Sequence, residues 1–287
     1  MFQPGKELDE LLDIGQQKNY VADDSADTTS HGEDVLELAG YFAPEATFDL
    51  YRIVSENGLA KRGNFVQAIA DASSQGMDIL NLSVGIYHHE EPDGDCSGLC
   101  RVADETRLAI ENGTTVVAAA GNREREDSLA VHCPALLEEA IGVGGFVSHC
   151  RHGLLESEDS GQYWTYADDR LIGPFCGQRG CTPSEECEEH RYEKPWQGNV
   201  SFHNAVPDVL APVHHPAGTE SEPVLQSGTS FGTPIVAGAL AAMVSNLADS
   251  DVKPSPREVH QAMSMGAADI DEGTLAKFDA GGTWQEL

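Results

Sequence analysis

CRVADETRLAIENGTTVVAAAGN, residues 100–122, contains a helix, its end and the buried strand that follows it. Cys100 to Glu111 has apolar residues at helical spacing, and Asn112-Gly113 is a typical helix end. Thr114 to Ala120 is a β-branched, apolar run, which is typical of a strand buried on both faces. A helix followed at once by such a strand predicts a sheet whose strands alternate with helices.

The same alternation continues on both sides of this stretch. We predict further strands at Phe48 to Val54, Asp78 to Val84, Ile141 to Val147 and Pro207 to Ala211. We predict further helices at Asn64 to Ser74, Thr233 to Ser245 and Ser255 to Ser264, the last with Ser255 as N-cap and Pro256 at its first position. The sequence therefore predicts one α/β domain over residues 1–287, with a mostly parallel sheet and helices on both faces.

The charge of the chain is strongly negative. It has 48 acidic and 17 basic residues among 287, a formal net charge of -31 and a pI near 4.4. Such a chain repels phosphate backbones and anionic lipid, so we expect neither nucleic acid nor a membrane surface as a partner. Acid spread along the whole sequence, with very little lysine, also indicates adaptation to high salt. An ordinary acidic protein is the alternative.

Two features of the chain bear on its compartment. Met1 to Tyr20 contains no apolar run typical of a signal peptide, and we expect no later stretch long enough to span a bilayer. Seven cysteines are many for a reducing cytosol, but their odd number leaves one unpaired if the others form disulfides, so the compartment stays open, with an extracellular location as one possibility. They are Cys96, Cys100, Cys133, Cys150, Cys176, Cys181 and Cys187.

From Ser148 to Asn199 the alternation of helices and strands stops, which predicts a surface insertion. Three of its cysteines, followed by His190, could bind zinc, but their spacing contains no compact CxxC pair. Disulfides that fix an exposed loop are the favoured interpretation. No loop with EF-hand spacing is present either, and we predict no metal ion or other cofactor.

Four short segments carry residues suited to catalysis. QSGTSFGTPIVAG, residues 226–238, places Ser230 between small residues at the start of a helix, although Thr229 or Ser230 could also simply cap that helix. His31, at a loop-to-helix junction, has the near-neutral pKa that proton transfer requires. VAAAGN, residues 117–122, ends a strand in an amide that could stabilise an oxyanion or form an ordinary turn. NLSVG, residues 81–85, could line a cleft or merely end a strand.

Together, these segments resemble the subtilase family of serine peptidases in order and approximate spacing. The resemblance rests on His31-Gly32, on APEA at 43–46, and on the NLSVG and AAAGN segments. It also rests on DVLAP at 208–212 and SGTSFGTPIVAG at 227–238, and it extends from about Tyr20 to Ile270. The residue after His31-Gly32 is Glu33, where the family usually has threonine. The resemblance implies a three-layer α/β/α subtilisin-like fold and cleavage of protein or peptide substrates.

The resemblance also implies a role for each matching residue. Ser230 would attack the scissile carbonyl, His31 would accept and return the proton, and Asn122 would bind the oxyanion with the Ser230 backbone N–H. The segments Ser83-Val84-Gly85 and Ala119-Ala120-Gly121 would form the walls that pair with the substrate backbone. The resemblance carries no expectation about an oligomeric state.

The family's catalytic triad has a third member, an aspartate that orients the histidine, and this aspartate has no match in this sequence. The family order is Asp, His, Ser, with the acid after a buried strand. Asp13-Ile14-Gly15 looks superficially similar but does not follow such a strand. A better alignment matches Glu7-Leu8-Asp9 to the segment just after the acid, and this alignment places the acid at or before Met1. The expected explanations are an internal start, a truncated gene, or a degenerate homologue that binds peptides without cutting. Asp13, Asp23, Asp24 and Asp27 are the remaining candidates for a substitute.

Overall fold

A computed structural model of the chain describes residues 11–21, 31–55, 58–86, 100–122, 131–148, 193–195, 207–219, 222–248, 252–269 and 276–287. The strands are β1 Asp13–Asn19, β2 Thr47–Arg52, β3 Ile79–Leu82, β4 Thr115–Ala119, β5 Ile141–Ser148, β6 Glu193–Pro195, β7 Val209–Pro212, β8 His214–Thr219, β9 Glu222–Ser227, β10 Ala268–Asp269 and β11 Ala276–Lys277. The helices are α1 His31–Phe42, α2 Arg62–Ser74, α3 Arg101–Glu111, α4 Thr229–Ala248, α5 Pro256–Gly266 and α6 Ala280–Glu286.

The centre of the main sheet consists of β3, β4, β5 and β7, which pair in parallel in that order. β11 lies parallel to β7, β10 lies antiparallel to β11, and β6 pairs antiparallel with β5. Parallel neighbours need crossover connections, and α3 supplies the one between β3 and β4. The predicted α/β fold with a mostly parallel sheet is therefore confirmed.

Helices cover both faces of this sheet and form two hydrophobic cores. Val116 belongs to the core that contains Phe65 of α2 and Val102 of α3, whereas the next residue, Val117, packs with Leu240 of α4. Successive side chains of a strand point to opposite faces, so β4 is buried from both sides. All five residues of β4 are buried. This arrangement gives the three layers, α/β/α.

A second, two-stranded sheet consists of β1 and β2, paired in parallel. The prediction for β2 is confirmed within a few residues, but β1 was not predicted. Its sequence, DIGQQKN, lacks the apolar alternation that indicates a strand, because the strand is largely exposed. β8 and β9, also not predicted, form a separate antiparallel pair.

The last predicted helix start is confirmed in detail. The backbone N–H of Glu258 donates to Ser255 Oγ at 3.3 Å, and the Ser255 N–H donates to Glu258 Oε2 at 2.7 Å. This is a capping box with Pro256 at the first helical position. The Ser255 backbone N–H and the Ser255 hydroxyl both donate to Glu258 Oε2, and these two hydrogen bonds hold the pKa of the Glu258 carboxyl below its usual range.

Helix α4 is longer than predicted, since it begins at Thr229 and has 20 residues. By length and composition alone it could cross a membrane, so the expectation that no stretch is long enough is wrong. However, 61% of its most apolar window is buried inside the fold. Extensive burial is typical of a core helix of a soluble protein, and one such helix is weak grounds for a membrane span.

Candidate active site

The carboxyl end of β4 places Asn122 at the edge of the sheet. Ala120 follows the strand and its N–H still donates to Val143 O at 2.9 Å. Gly121 then adopts a φ of 98°, which a side chain would strain, and turns the chain out of the sheet. Asn122 therefore lies just beyond the carboxyl ends of parallel strands, where ligands bind in open α/β sheets.

The amide of Asn122 is oriented by Thr229. Both the backbone N–H and the hydroxyl of Thr229 donate to Asn122 Oδ1, at 3.0 and 3.1 Å. The same hydroxyl accepts a hydrogen bond from the N–H of Gly121 at 3.1 Å, so it links the two segments. Because a backbone N–H can only donate, the atom that it meets must be the amide oxygen, which leaves Nδ2 as the outward donor.

Asn122 Nδ2 and Ser230 Oγ lie beside the same small space next to Gly228. A Cβ atom added to Gly228 would lie 3.1 Å from Asn122 Nδ2 and 3.2 Å from Ser230 Oγ. A reacting carbonyl needs a position about 3 Å from both a nucleophile and an oxyanion donor. Because Gly228 has no side chain, a carbonyl group can approach both atoms from this side, which explains why glycine precedes Thr229.

Ser230 is the second residue of α4, near the positive end of the helix dipole. Its backbone carbonyl would normally accept a hydrogen bond from the residue four positions later, but that residue is Pro234, which has no N–H. The hydroxyl of Ser83 supplies the missing donor, at 2.8 Å from Ser230 O. Asn81 Nδ2 in turn donates to Ser83 Oγ at 3.0 Å. The end of β3 therefore holds in place the first turn of α4, which carries Ser230.

His31 is the first residue of α1, and its ring packs edge-on against Phe231, with 5.1 Å between the ring centroids. Phe231 follows Ser230 directly. Close packing of the two helices makes this contact feasible, since a Cβ on Gly238 of α4 would lie 2.6 Å from Ala39 O of α1. The fold thus brings His31 to the first turn of α4, although His31 and Ser230 are 199 positions apart in the sequence.

The two predicted substrate walls differ in their surroundings. Ser83, Val84 and Gly85 follow β3 and are partly exposed, and a Cβ on Gly85 would lie 2.7 Å from His132 Cβ. Ala119 and Ala120 are buried at 4% and 0% exposure, and Ala120 O accepts from the His132 N–H at 2.9 Å. The side chains of these two alanines therefore face the core, and Gly121 marks the point where this segment leaves it.

Of the four candidate acids, Asp13 alone lies within the described residues. Asp13 begins β1 and accepts a hydrogen bond from Thr47 Oγ1 at 2.6 Å, at the amino ends of both strands. Gly32, next to His31, lines one cavity together with Thr47 at the start of β2 and with Tyr51 near its end. Asp23, Asp24 and Asp27 lie outside the described residues. A role as the triad acid stays a prediction for all four aspartates.

The described cysteines are Cys100 and Cys133, both buried thiols, with their Sγ atoms 3.7 Å apart. Cys96 and the four cysteines of the predicted insertion lie outside the described residues, as does His190, so the disulfide and zinc interpretations stay predictions. Within the described part of the chain, no three His, Cys, Asp or Glu side chains are grouped to hold a metal ion.

Sequence comparison places this site in a family. The chain matches the model of the subtilase family over residues 22–281. It is 31% identical over 145 residues to the major intracellular serine protease of Bacillus subtilis (strain 168), covering 49% of this chain and 40% of that protein. It is 27% identical over 233 residues to the membrane-bound transcription factor site-1 protease of Mus musculus, covering 79% and 18%. The chain spans less than half the length of both relatives.

Solved structures share the fold at low sequence identity. The patellamide maturation protease PatA aligns with a TM-score of 0.65 and 19% identity, covering 99% of this chain and 94% of that one. A lanthipeptide protease aligns with a TM-score of 0.65 and 20% identity, covering 99% and 85%. The family match includes the segments that carry His31, Asn122 and Ser230. The chain therefore belongs to the subtilase family, peptidase family S8.

Proposed function

We propose that the chain is a serine endopeptidase with Ser230 as its nucleophile and His31 as its general base. Ser230 Oγ attacks the scissile carbonyl while its proton passes to the imidazole of His31. The imidazolium returns that proton to the leaving amine as the C–N bond breaks, which leaves an acyl-enzyme. Water then releases the acyl group by the same steps and restores the serine. The substrates in this proposal are proteins or peptides.

The observation that carries this proposal is the space beside Gly228. Asn122 Nδ2 and Ser230 Oγ both border this space, so one carbonyl group that approaches beside Gly228 can meet nucleophile and oxyanion donor together. Thr229 fixes the amide that donates, through two hydrogen bonds to Asn122 Oδ1. In this proposal, the Ser230 N–H is the second oxyanion donor, and Val84, Gly85 and Gly121 line the path of the substrate backbone.

The orienting acid is the part of the triad that we do not assign to a described residue. Without it, His31 loses a partner that fixes its tautomer, and in subtilisin-type sites this costs on the order of 10⁴ in turnover. A chain that binds peptides but scarcely cuts them is therefore the second candidate function. We also propose that the chain works at high salt, because of its net charge of -31.

A fluorophosphonate probe tests the nucleophile directly, because it reacts with activated serines. In buffer of molar salt we expect slow labelling of the chain, loss of labelling in Ser230→Ala, and strong reduction in His31→Ala. Ser264→Ala, which removes an exposed hydroxyl from α5, is the matched control and should label normally. If Ser230→Ala labels as well as the parent, the probe is reacting elsewhere and the peptidase proposal is wrong.

A further inference from the structure

Cys100 and Cys133 bring two sulfur atoms together from distant parts of the chain. Their Sγ atoms lie 3.7 Å apart although the two residues are 33 positions apart in the sequence. Cys100 is 6% exposed and Cys133 is 0% exposed. A thiol is a weak hydrogen-bond donor and a weak acceptor, so a hydrogen bond between the sulfurs is a poor reason for two cysteines at this place. A covalent bond between them is a better one.

The distance between the sulfurs and their surroundings both suit a disulfide. Sulfurs in a disulfide are about 2.05 Å apart, so the two atoms need to approach each other by less than about 2 Å. Each sulfur moves on a single side-chain torsion, χ1, and a shift of this size is within the range of such rotations. Both cysteines belong to the apolar core that contains Val102, Val131 and Ala135. A disulfide removes both S–H groups from that core.

Each cysteine is held in place by its own backbone hydrogen bonds. Cys100 is the N-cap residue of α3, and its carbonyl accepts from the Asp104 N–H at 3.0 Å. Cys133 is paired with Ile86, which follows β3. The Ile86 N–H donates to Cys133 O at 2.8 Å, and the Cys133 N–H donates to Ile86 O at 2.9 Å. A bond between the sulfurs therefore fastens the start of α3 to the segment that follows β3.

Cys133 also lies where the two predicted substrate walls meet. Ile86 directly follows Gly85 of the first wall, and a Cβ on Gly85 would lie 3.3 Å from Cys133 O. The residue before Cys133 contacts the second wall, since the His132 N–H donates to Ala120 O at 2.9 Å. Residues 132 and 133 thus join the two walls, and we call these two residues the wall joint.

We propose that Cys100 and Cys133 form a disulfide when the chain folds in the presence of a low-molecular-weight disulfide such as oxidised glutathione. The thiolate of one cysteine attacks the small disulfide, which forms a mixed disulfide and releases one small thiol. The thiolate of the other cysteine attacks the protein sulfur of this mixed disulfide and releases the second small thiol. The protein loses two electrons and two protons, and the small disulfide gains them as two thiols. Because both sulfurs are buried in the folded chain, this exchange takes place before the core closes.

The disulfide stabilises the wall joint in two ways. It closes a loop over the 33 positions between the cysteines, which removes conformational entropy from the unfolded chain. In the folded chain it restrains local opening of the two hydrogen bonds between Ile86 and Cys133. That a firm wall joint holds the substrate walls in place rests on the proposed function, whereas the disulfide itself does not.

A chain that keeps only this pair of cysteines tests the bond directly. Serine replaces the other five, which are Cys96, Cys150, Cys176, Cys181 and Cys187. Ser230→Ala is added, so that the result does not depend on peptidase activity. After refolding in molar salt with reduced and oxidised glutathione, we expect a mass about 2 Da below that of the reduced chain and no reaction of the denatured chain with maleimide.

The same chain with Cys100→Ala is the matched control and should show no loss of 2 Da, because the remaining cysteine has no partner for an internal bond. Thiols that still react at both Cys100 and Cys133 after refolding of the two-cysteine chain would overturn the proposal.

Peptide mapping of the chain with all of its cysteines decides the case in which the two-cysteine chain fails to fold. Digestion without reductant, below about pH 6 to suppress thiol–disulfide exchange, should release a linked pair of peptides that contains Cys100 and Cys133. A map that links Cys133 to a different cysteine, or that links neither residue, would contradict the proposal.

Reduction of the folded two-cysteine chain then measures what the bond does. We expect the Tm to fall by about 5–10 °C, and the amide hydrogens of Ile86 and Cys133 to exchange with solvent at least about tenfold faster. The Cys100→Ala control, given the same reductant, should show neither change. An unchanged Tm with unchanged exchange would overturn the stabilising role of the bond.

Fluorophosphonate labelling of the chain with Ser230 intact separates this proposal from the peptidase. A disulfide in a chain that takes no label supports the bond and contradicts the peptidase. Labelling of Ser230 in a chain whose Cys100 and Cys133 stay reduced after refolding supports the peptidase and overturns the bond.

Discussion

At the scale of single residues, the backbone carbonyl of Ser230 accepts its hydrogen bond from a side chain of the sheet and not from its own helix. Pro234 removes the donor that the Ser230 carbonyl would have in a regular helix, and Ser83 replaces it from the end of β3. The replacement ties the first turn of α4 to the sheet, which an ordinary helical hydrogen bond could not do. We therefore regard Ser83 as a positioning residue.

A double-mutant cycle tests this role of Ser83. In Ser83→Ala the Ser230 carbonyl loses its donor, so we expect a loss of about 1–2 kcal/mol in the free energy of unfolding and slower labelling of Ser230. In a Pro234→Ala background the restored N–H of residue 234 can serve the same carbonyl, and the cost of removing the Ser83 hydroxyl should shrink. Urea unfolding measures all four proteins of the cycle. Additive costs would show that the hydroxyl and the proline act independently.

At the scale of secondary-structure elements, Asp71 joins α2 to the β1 edge. Its carboxylate accepts hydrogen bonds from Tyr20 OH at 2.7 Å, Gln67 Nε2 at 3.0 Å and Lys18 Nζ at 3.2 Å. The hydrogen bond from Tyr20, followed by that from Gln67, holds the pKa of Asp71 below its ordinary value of 3.8. Burial, with the nearby Asp71 carboxylate, raises the pKa of the Tyr20 hydroxyl.

The lowered pKa makes Asp71 a source of acid sensitivity. A carboxyl with a lower pKa in the folded state stabilises the fold above its unfolded pKa, and this contribution is lost as pH falls through the folded pKa. We expect Asp71→Asn to be less stable by about 1 kcal/mol at pH 7 and to show a flatter loss of stability from about pH 5 to pH 2. Urea unfolding across that range is the measurement, with the exposed Glu37→Gln as control. Parallel pH profiles for parent and Asp71→Asn would contradict this assignment.

The elements also show what the sequence could and could not predict. β4 and α4 are signalled by apolar runs, and the nucleophile segment by glycines around a serine, because burial and close approach restrict residue type. β1 gives no such signal, since its exposed DIGQQKN sequence is held in a strand by pairing with β2. The bond from Ser83 to Ser230 spans 147 positions and follows only from the assembled fold.

At the scale of the whole molecule, the net charge of -31 sets the conditions under which the fold is stable. Mutual repulsion of the 48 acidic residues, opposed by 17 basic ones, disfavours the compact state at low ionic strength. The screening length falls from about 10 Å at 0.1 M salt to about 3 Å at 1 M. Most of the repulsion between exposed charges should therefore disappear within this range.

We accordingly expect the melting temperature to rise between 0.1 M and 1 M sodium chloride and then to level off, because screening is nearly complete by then. Removing the exposed charges of Glu37, Glu111 and Glu286 by substitution with glutamine should raise the melting temperature at low salt and narrow the difference between the two conditions. Circular dichroism melts measure both effects. Sucrose at matched osmolality separates screening from general solute exclusion, since it stabilises compact states without screening charge. If sucrose reproduces the whole effect of salt, or if the three-glutamine variant responds to salt like the parent, charge repulsion does not limit the stability of this protein.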